Sequence, residues 1–163
     1  MSDVRPRVIY AELMDHDPLL RLPSRFTCLS ARAMSLLATM GRQLLEFRLE
    51  ESELRLGHYA VLEVLAQTPG VSSGLISLVS GYDPFEVDGY LDGLHASGYL
   101  ELVADPADER QLLASLTDDG QELLIWCRAQ ADAATEEFLA PLDSNARATL
   151  ERTLTELLAA HDL

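Results

Sequence analysis

His58 and Tyr59, adjacent in the chain, are the residues best placed by type to move protons, through an imidazole and a phenol. No third group at a fixed spacing completes a catalytic set around them, so an enzyme reading would rest on them and a neighbouring acid alone. Gly70-Val71-Ser72-Ser73-Gly74 fits the G-x-S-x-G pattern of serine hydrolases, which needs a strand before the serine and a helix after it. Here the pattern follows one helical segment and opens another, so it is read as a turn. His16, His58, His95 and His161 show no metal-ligand spacing with one another or with a cysteine pair. Asp15-His16-Asp17 is read as part of a solvated arm, and neither metal nor cofactor is expected. All 12 positive charges are arginine. A P-loop lysine, a Schiff-base lysine and a lysine general base are therefore excluded, and the reading leans away from an enzyme.

The elements that carry these residues belong to a chain of 163 residues, enough for one well-buried domain or one domain with an oligomerisation arm. Its net charge of −15 is unevenly spread. Residues 1–55 hold eight arginines and eight acids, residues 56–109 hold nine acids and no base, and residues 110–163 hold four arginines and ten acids. Such acidity keeps a protein in solution and discourages contact with nucleic acid or an anionic membrane. Two distant cysteines, Cys28 and Cys127, imply no disulfide framework and fit a reduced cytoplasm. The N-terminal residues lack the apolar core of a signal peptide, and no apolar run approaches the ~18 residues of a membrane span. A cytoplasmic protein without a membrane partner is expected.

Pro6, Pro18 and Pro23 mark residues 1–23 as an irregular arm. Ser24 can cap a long first helix whose apolar positions, Phe26, Leu29, Ala33, Leu37, Met40, Leu44 and Phe47, recur at steps of three and four. A stripe of that length calls for a partner. A second helix is expected over 56–67, stopping at Thr68-Pro69-Gly70, and a third from Ser72 to about Val79. A fourth starts near Asp83 with Pro84 at its first position and ends at Ser97-Gly98. Residues 99–103 read as a strand, 104–111 as a polar turn and 112–116 as the returning strand. Thr117 caps a long fifth helix to about Phe138, and Asp143 or Ser144 starts the last, to about Ala160.

Three short helices and a β-hairpin between long helices resemble the MarR (multiple-antibiotic-resistance regulator) family over roughly residues 30–160. The anchors are Leu62 with Pro69-Gly70, then Gly98-Tyr99-Leu100, then Asp105-Pro106-Ala107-Asp108-Glu109-Arg110, similar to the family's Asp-Pro-x-Asp-x-Arg wing tip. Leu116-Thr117-Asp118-Asp119-Gly120 is similar to its Leu-Thr-x-x-Gly. The resemblance implies a mainly α fold with a small β-hairpin wing. In it, a winged helix-turn-helix lobe (56–116) is bracketed by long N- and C-terminal dimerisation helices (24–55 and 117–163). It also implies a homodimer whose fourth helix enters the major groove and whose wing arginine, Arg110, oriented by Asp108, enters the minor groove.

The fourth helix does not fit that role. With Val87, Leu91 and Leu94 buried, its outer side presents Glu86, Gly89, Asp92, Gly93 and Ala96 where the family carries serine, threonine and arginine. DNA affinity comes largely from ~6–10 phosphate contacts by Lys and Arg, and base reading uses Arg, Lys, Asn or Gln. Ordinary DNA binding is therefore expected to be weak or lost. The two glycines leave a smooth groove, which reads either as a place for a partner helix or ligand or as drift. By family position a ligand cleft would draw on Arg25, Arg32, His58, Tyr59 and Trp126, with a core role as the alternative for Trp126. Cys28 occupies a region similar to the sensing cysteine of the organic-hydroperoxide branch, and Arg25 and Arg32 can supply positive charge beside it. Its offset from Tyr59 is several residues too long for that branch, and the alternative is a plain buried thiol. The expected function is a homodimeric MarR-family homologue that binds a small molecule or a basic protein partner. The alternatives are an ordinary ligand-responsive repressor, with basic contacts from the arm, Arg48, Arg55 and Arg110, and an enzyme that reuses the ligand cleft.

Overall fold

A computed structural model of the protein describes residues 29–160, with the side chains of residues 29–32 and of Glu109 left out. Arg25, Cys28, His16 and His161 lie outside those residues. In chain order the elements are α1 (Leu29–Leu49), a 3-10 turn (Glu50–Ser52), α2 (Leu56–Gln67), β1 (Val71–Ser72), α3 (Ser73–Ser80), α4 (Pro84–Ala96), β2 (Leu100–Asp105), β3 (Asp108–Leu116), α5 (Asp118–Leu139) and α6 (Ser144–Ala160). The fold is mostly helical with a small antiparallel sheet in the order β1-β3-β2. The chain divides between Gln43 and Leu44 into two compact units.

In the first unit, α1 runs through four turns held in part by the Thr39 hydroxyl, which donates to the Ser35 carbonyl at 3.0 Å. In the second unit the helix ends are set by local chemistry. Asp83 caps α4: its carboxylate accepts from the Phe85 N–H at 2.9 Å, while Glu86 reaches back to the Asp83 N–H and Pro84 occupies the first turn. Thr117 caps α5 by accepting from the Gly120 N–H at 3.0 Å, and its hydroxyl donates to the Gly98 carbonyl at 2.8 Å. Gly81 closes α3 in the left-handed region at φ 76°, which only glycine adopts without strain.

Leu62, Leu65, Ile76, Val87, Leu94, Leu100, Ala114 and Leu124 pack one core between the four helices α2 to α5 and the sheet. Each such aliphatic side chain removed from water contributes roughly 1.5–3 kcal/mol before entropy is counted. Val87, Leu91 and Leu94 do form the inner face of α4.

The wing differs from the sequence reading. Residues 104–111 are not a turn: β2 continues to Asp105, β3 starts at Asp108, and Pro106-Ala107 alone join them. The Asp105 carboxylate accepts from the Ala107 N–H at 2.8 Å and makes the tight reversal. Both faces of the outer hairpin meet solvent, so backbone pairing holds it without any apolar alternation. The third strand, pairing Val71 with Ala114 and Ser72 with Leu113, also went unread, because two residues carry no periodicity.

Candidate functional site

The outer surface of the lobe is built by α4 and the wing. Glu86, Asp88, Gly89, Asp92, Gly93 and Ala96 are all exposed along α4. Across from them Arg110 extends from β3 with its side chain 91% exposed, and Asp108 holds its Nε at 3.2 Å. Between helix and wing lies a cleft of about 660 Å³ lined by Asp88, Asp92, Asp108 and Arg110 around Leu91, Leu102 and Leu112. Three carboxylates thus face one guanidinium, which Asp108 already engages. Asp88 was missed from sequence, although it stands four residues from Asp92 on the same face.

The two glycines of α4 differ. Nothing lies within 4 Å of where a Cβ would stand at Gly89, while at Gly93 it would meet His58 Nε2 at 3.6 Å. The arginines invoked for a basic patch split similarly. Arg48 is paired with Glu137 at 2.7 Å, whereas Arg55 is exposed at the start of α2.

His58 sits in the first turn of α2. Its Nδ1 accepts from the Arg55 N–H at 2.9 Å, and its ring meets the Tyr90 ring edge-on at 4.8 Å. Burial, and secondarily the Arg55 charge, hold its pKa below the ordinary 6.5. It is a neutral capping imidazole. Tyr59, one residue on, faces different partners. Burial first, then a hydrogen bond to Glu63, push its phenol up to about 12. Glu63 in turn is held below the usual carboxylate range chiefly by Arg128, which grips it through two bonds of 2.9 and 2.8 Å. Tyr59, Glu63 and Arg128 therefore tie α2 to α5. His58 and Tyr59 are not joined in one relay, and nothing in the sequence signalled the Glu63–Arg128 link.

Trp126 is half-buried and packs against the core. Beside it Cys127 is buried and its thiol is pushed up to about 11 by burial, a state unsuited to thiolate chemistry. Ser72 of the G-x-S-x-G segment ends the two-residue strand β1 and directly precedes α3. No histidine hydrogen-bonds it among the described residues, and the segment opens the helix-turn-helix. Among the described residues no group of His, Cys, Asp and Glu is arranged to hold a metal ion, and no helix is long and apolar enough to cross a membrane.

No family model matches the chain. It is 27% identical over 123 residues to HTH-type transcriptional regulators of Mycobacterium bovis and Mycobacterium tuberculosis, covering 76% of this chain and 85% of theirs. Among solved structures, E. coli MarR in its apo form superposes with a TM-score of 0.74 at 22% identity, covering 78% of this chain and 95% of that one. The M. tuberculosis MarR family protein Rv2887 in complex with DNA gives 0.69 at 24% identity, with 78% and 95% coverage. The PcaV transcriptional regulator of Streptomyces coelicolor gives 0.67 at 25% identity, with 82% and 97% coverage. The chain has the winged helix-turn-helix fold of MarR-family regulators and is similar in sequence to HTH-type transcriptional regulators.

Proposed function

We propose that this protein is a homodimeric MarR-type regulator that responds to a small molecule or a protein partner, and whose lobe binds ordinary duplex DNA weakly or not at all. The observation that carries the reading is the outer face of α4, where Glu86, Asp88 and Asp92 are exposed and no lysine or arginine of the helix accompanies them. An acid held ~4 Å from a phosphate costs about 1 kcal/mol even in water, and a dimer doubles the number of such contacts. One Arg110 per wing, already neutralised by Asp108, does not offset that. The likeness to Rv2887, solved also with p-aminosalicylic acid, supports a small-molecule response.

A second reading, the ordinary repressor, is favoured by the wing itself: Arg110 projects into solvent and Asp108 fixes its direction. Fluorescence anisotropy with random and promoter duplexes at about 50 mM salt decides between the two, because phosphate contacts are strongest there. We expect no saturable binding. Affinity that falls steeply with added salt would restore the repressor.

A further inference from the structure

Phe85, Asp88, Asp92 and Ala96 follow one another at steps of three and four, with Gly89 four residues after Phe85 and three before Asp92, so they form one continuous stripe along α4. Phe85 at its head is 85% exposed. On α3, Leu75, Leu78 and Val79 repeat the same spacing and are 40%, 79% and 64% exposed. The two helices are joined by the short turn at Gly81–Asp83, in which the Ser77 hydroxyl donates to the Tyr82 carbonyl at 2.7 Å. A bare phenyl ring and three aliphatic side chains contribute nothing to phosphate contacts, and exposed apolar groups with a charged rim are a mark of protein docking.

The carboxylates of this face divide into two kinds. Those of Asp83 and Glu86 are occupied in capping α4. Those of Asp88 and Asp92 have no ion-pair or hydrogen-bond partner among the described residues, and both line the cleft over Leu91, Leu102 and Leu112. Between them the backbone at Gly89 is open. We propose that this face docks an amphipathic segment of a partner protein. Apolar side chains of that segment cover Phe85, Leu78 and Val79, and its arginines or lysines meet Asp88 and Asp92.

Charge selects that occupant. Residues 56–109 hold nine acids and neither lysine nor arginine, so a nucleic acid meets mostly like charge there, and a second copy of the lobe offers only Arg110, which its own Asp108 already engages. A basic amphipathic segment matches both the apolar head and the acidic tail of the stripe. Phe85 and Asp92 are separated by about 10 Å along the axis at the ~1.5 Å rise per residue of a helix. Two to three turns of a partner helix cover that distance. The inference rests on the reading that the lobe engages a partner rather than an operator.

The test uses the full-length protein and two labelled peptides of identical composition. One carries leucines on one helical face and arginines beside them, and the other has the same residues scrambled. By anisotropy at physiological salt the patterned peptide is expected to bind about tenfold tighter or more, a difference of about 1.4 kcal/mol. Phe85→Ala, Asp88→Asn and Asp92→Asn should each weaken it by about tenfold, the size of a significant but sub-hot-spot interface truncation. All three positions are exposed, and circular dichroism confirms the fold of each variant. Equal binding of the two peptides, or patterned binding untouched by the three variants, overturns the proposal and leaves the absence of operator binding standing. Salt-sensitive binding of duplex DNA by the same protein removes the functional reading and this inference with it.

Discussion

An imidazole that accepts a backbone N–H is committed to its neutral form, and His58 is in that position. Protonation would put a proton on Nδ1, break the 2.9 Å bond from the Arg55 N–H and place a cation near Arg55. Its folded pKa lies below the unfolded 6.5, so the unfolded chain takes up the proton first. Stability is full above that value and is lost as pH falls from 6.5 toward the folded pKa. His58→Gln keeps an acceptor that does not titrate there. Between pH 7 and 5.5 the wild type should therefore lose roughly 2 °C more in melting temperature than the variant, the effect of losing ~0.5–1 kcal/mol at a helix start. Parallel melting curves would show that the bond carries no stability. The pair His58-Tyr59, which in sequence looks like proton-transfer chemistry, is in the fold a cap and a clamp. Adjacent residues on a helix point about 100° apart, so neighbours in sequence acquire separate partners.

Helices and strands set how far two glycines of the same chain differ in what they tolerate. At Gly120 a Cβ would collide with the Tyr99 carbonyl oxygen, a backbone atom fixed by its bond from the Thr117 N–H. At Gly89 it would meet nothing within 4 Å. Gly120→Ala should destabilise by about 1–3 kcal/mol, as overpacking does. Gly89→Ala should stabilise by up to ~1 kcal/mol, the difference in helix propensity. Chemical denaturation of both variants gives the two signs, and a stable Gly120→Ala would mean that the β2–α5 corner is looser than drawn.

The helix boundaries were legible because Pro84, Thr117, Gly81 and Pro69-Gly70 are caps and stops whose mechanism is local. The buried face of α4 was legible from the spacing of Val87, Leu91 and Leu94. The extent of the wing was not, since a hairpin exposed on both faces leaves no apolar alternation to read. Of the site, Asp108 and Arg110 were found through a motif. Asp88 lay on a stripe whose apolar head, Phe85, carried no expectation of exposure. Glu63 and Arg128, 65 residues apart, meet only through tertiary packing.

At the scale of the whole molecule the question is what covers the helices that the lobe does not use. Along α6 no residue is buried, and Leu150, Leu154, Leu157 and Leu158 are 36%, 41%, 47% and 53% exposed at helical spacing. On α1, Leu37 and Phe47 are 47% and 62% exposed. A net charge of −15 keeps such a chain dispersed without hiding these side chains, so the proposed homodimer has both the apolar surface and the need for it. Its melting temperature should then rise with protein concentration, because a partner that binds only the folded chain stabilises it by mass action. Leu154→Glu with Leu158→Glu places two further acids per chain on that face, four per dimer. Sedimentation at micromolar concentration should show a dimer for the wild type and a monomer for the double variant, whose melting should lose its concentration dependence. A wild-type chain that sediments as a monomer up to ~100 µM, with melting independent of concentration, would remove the dimer from the proposal and leave the exposed leucines of α6 to a different partner.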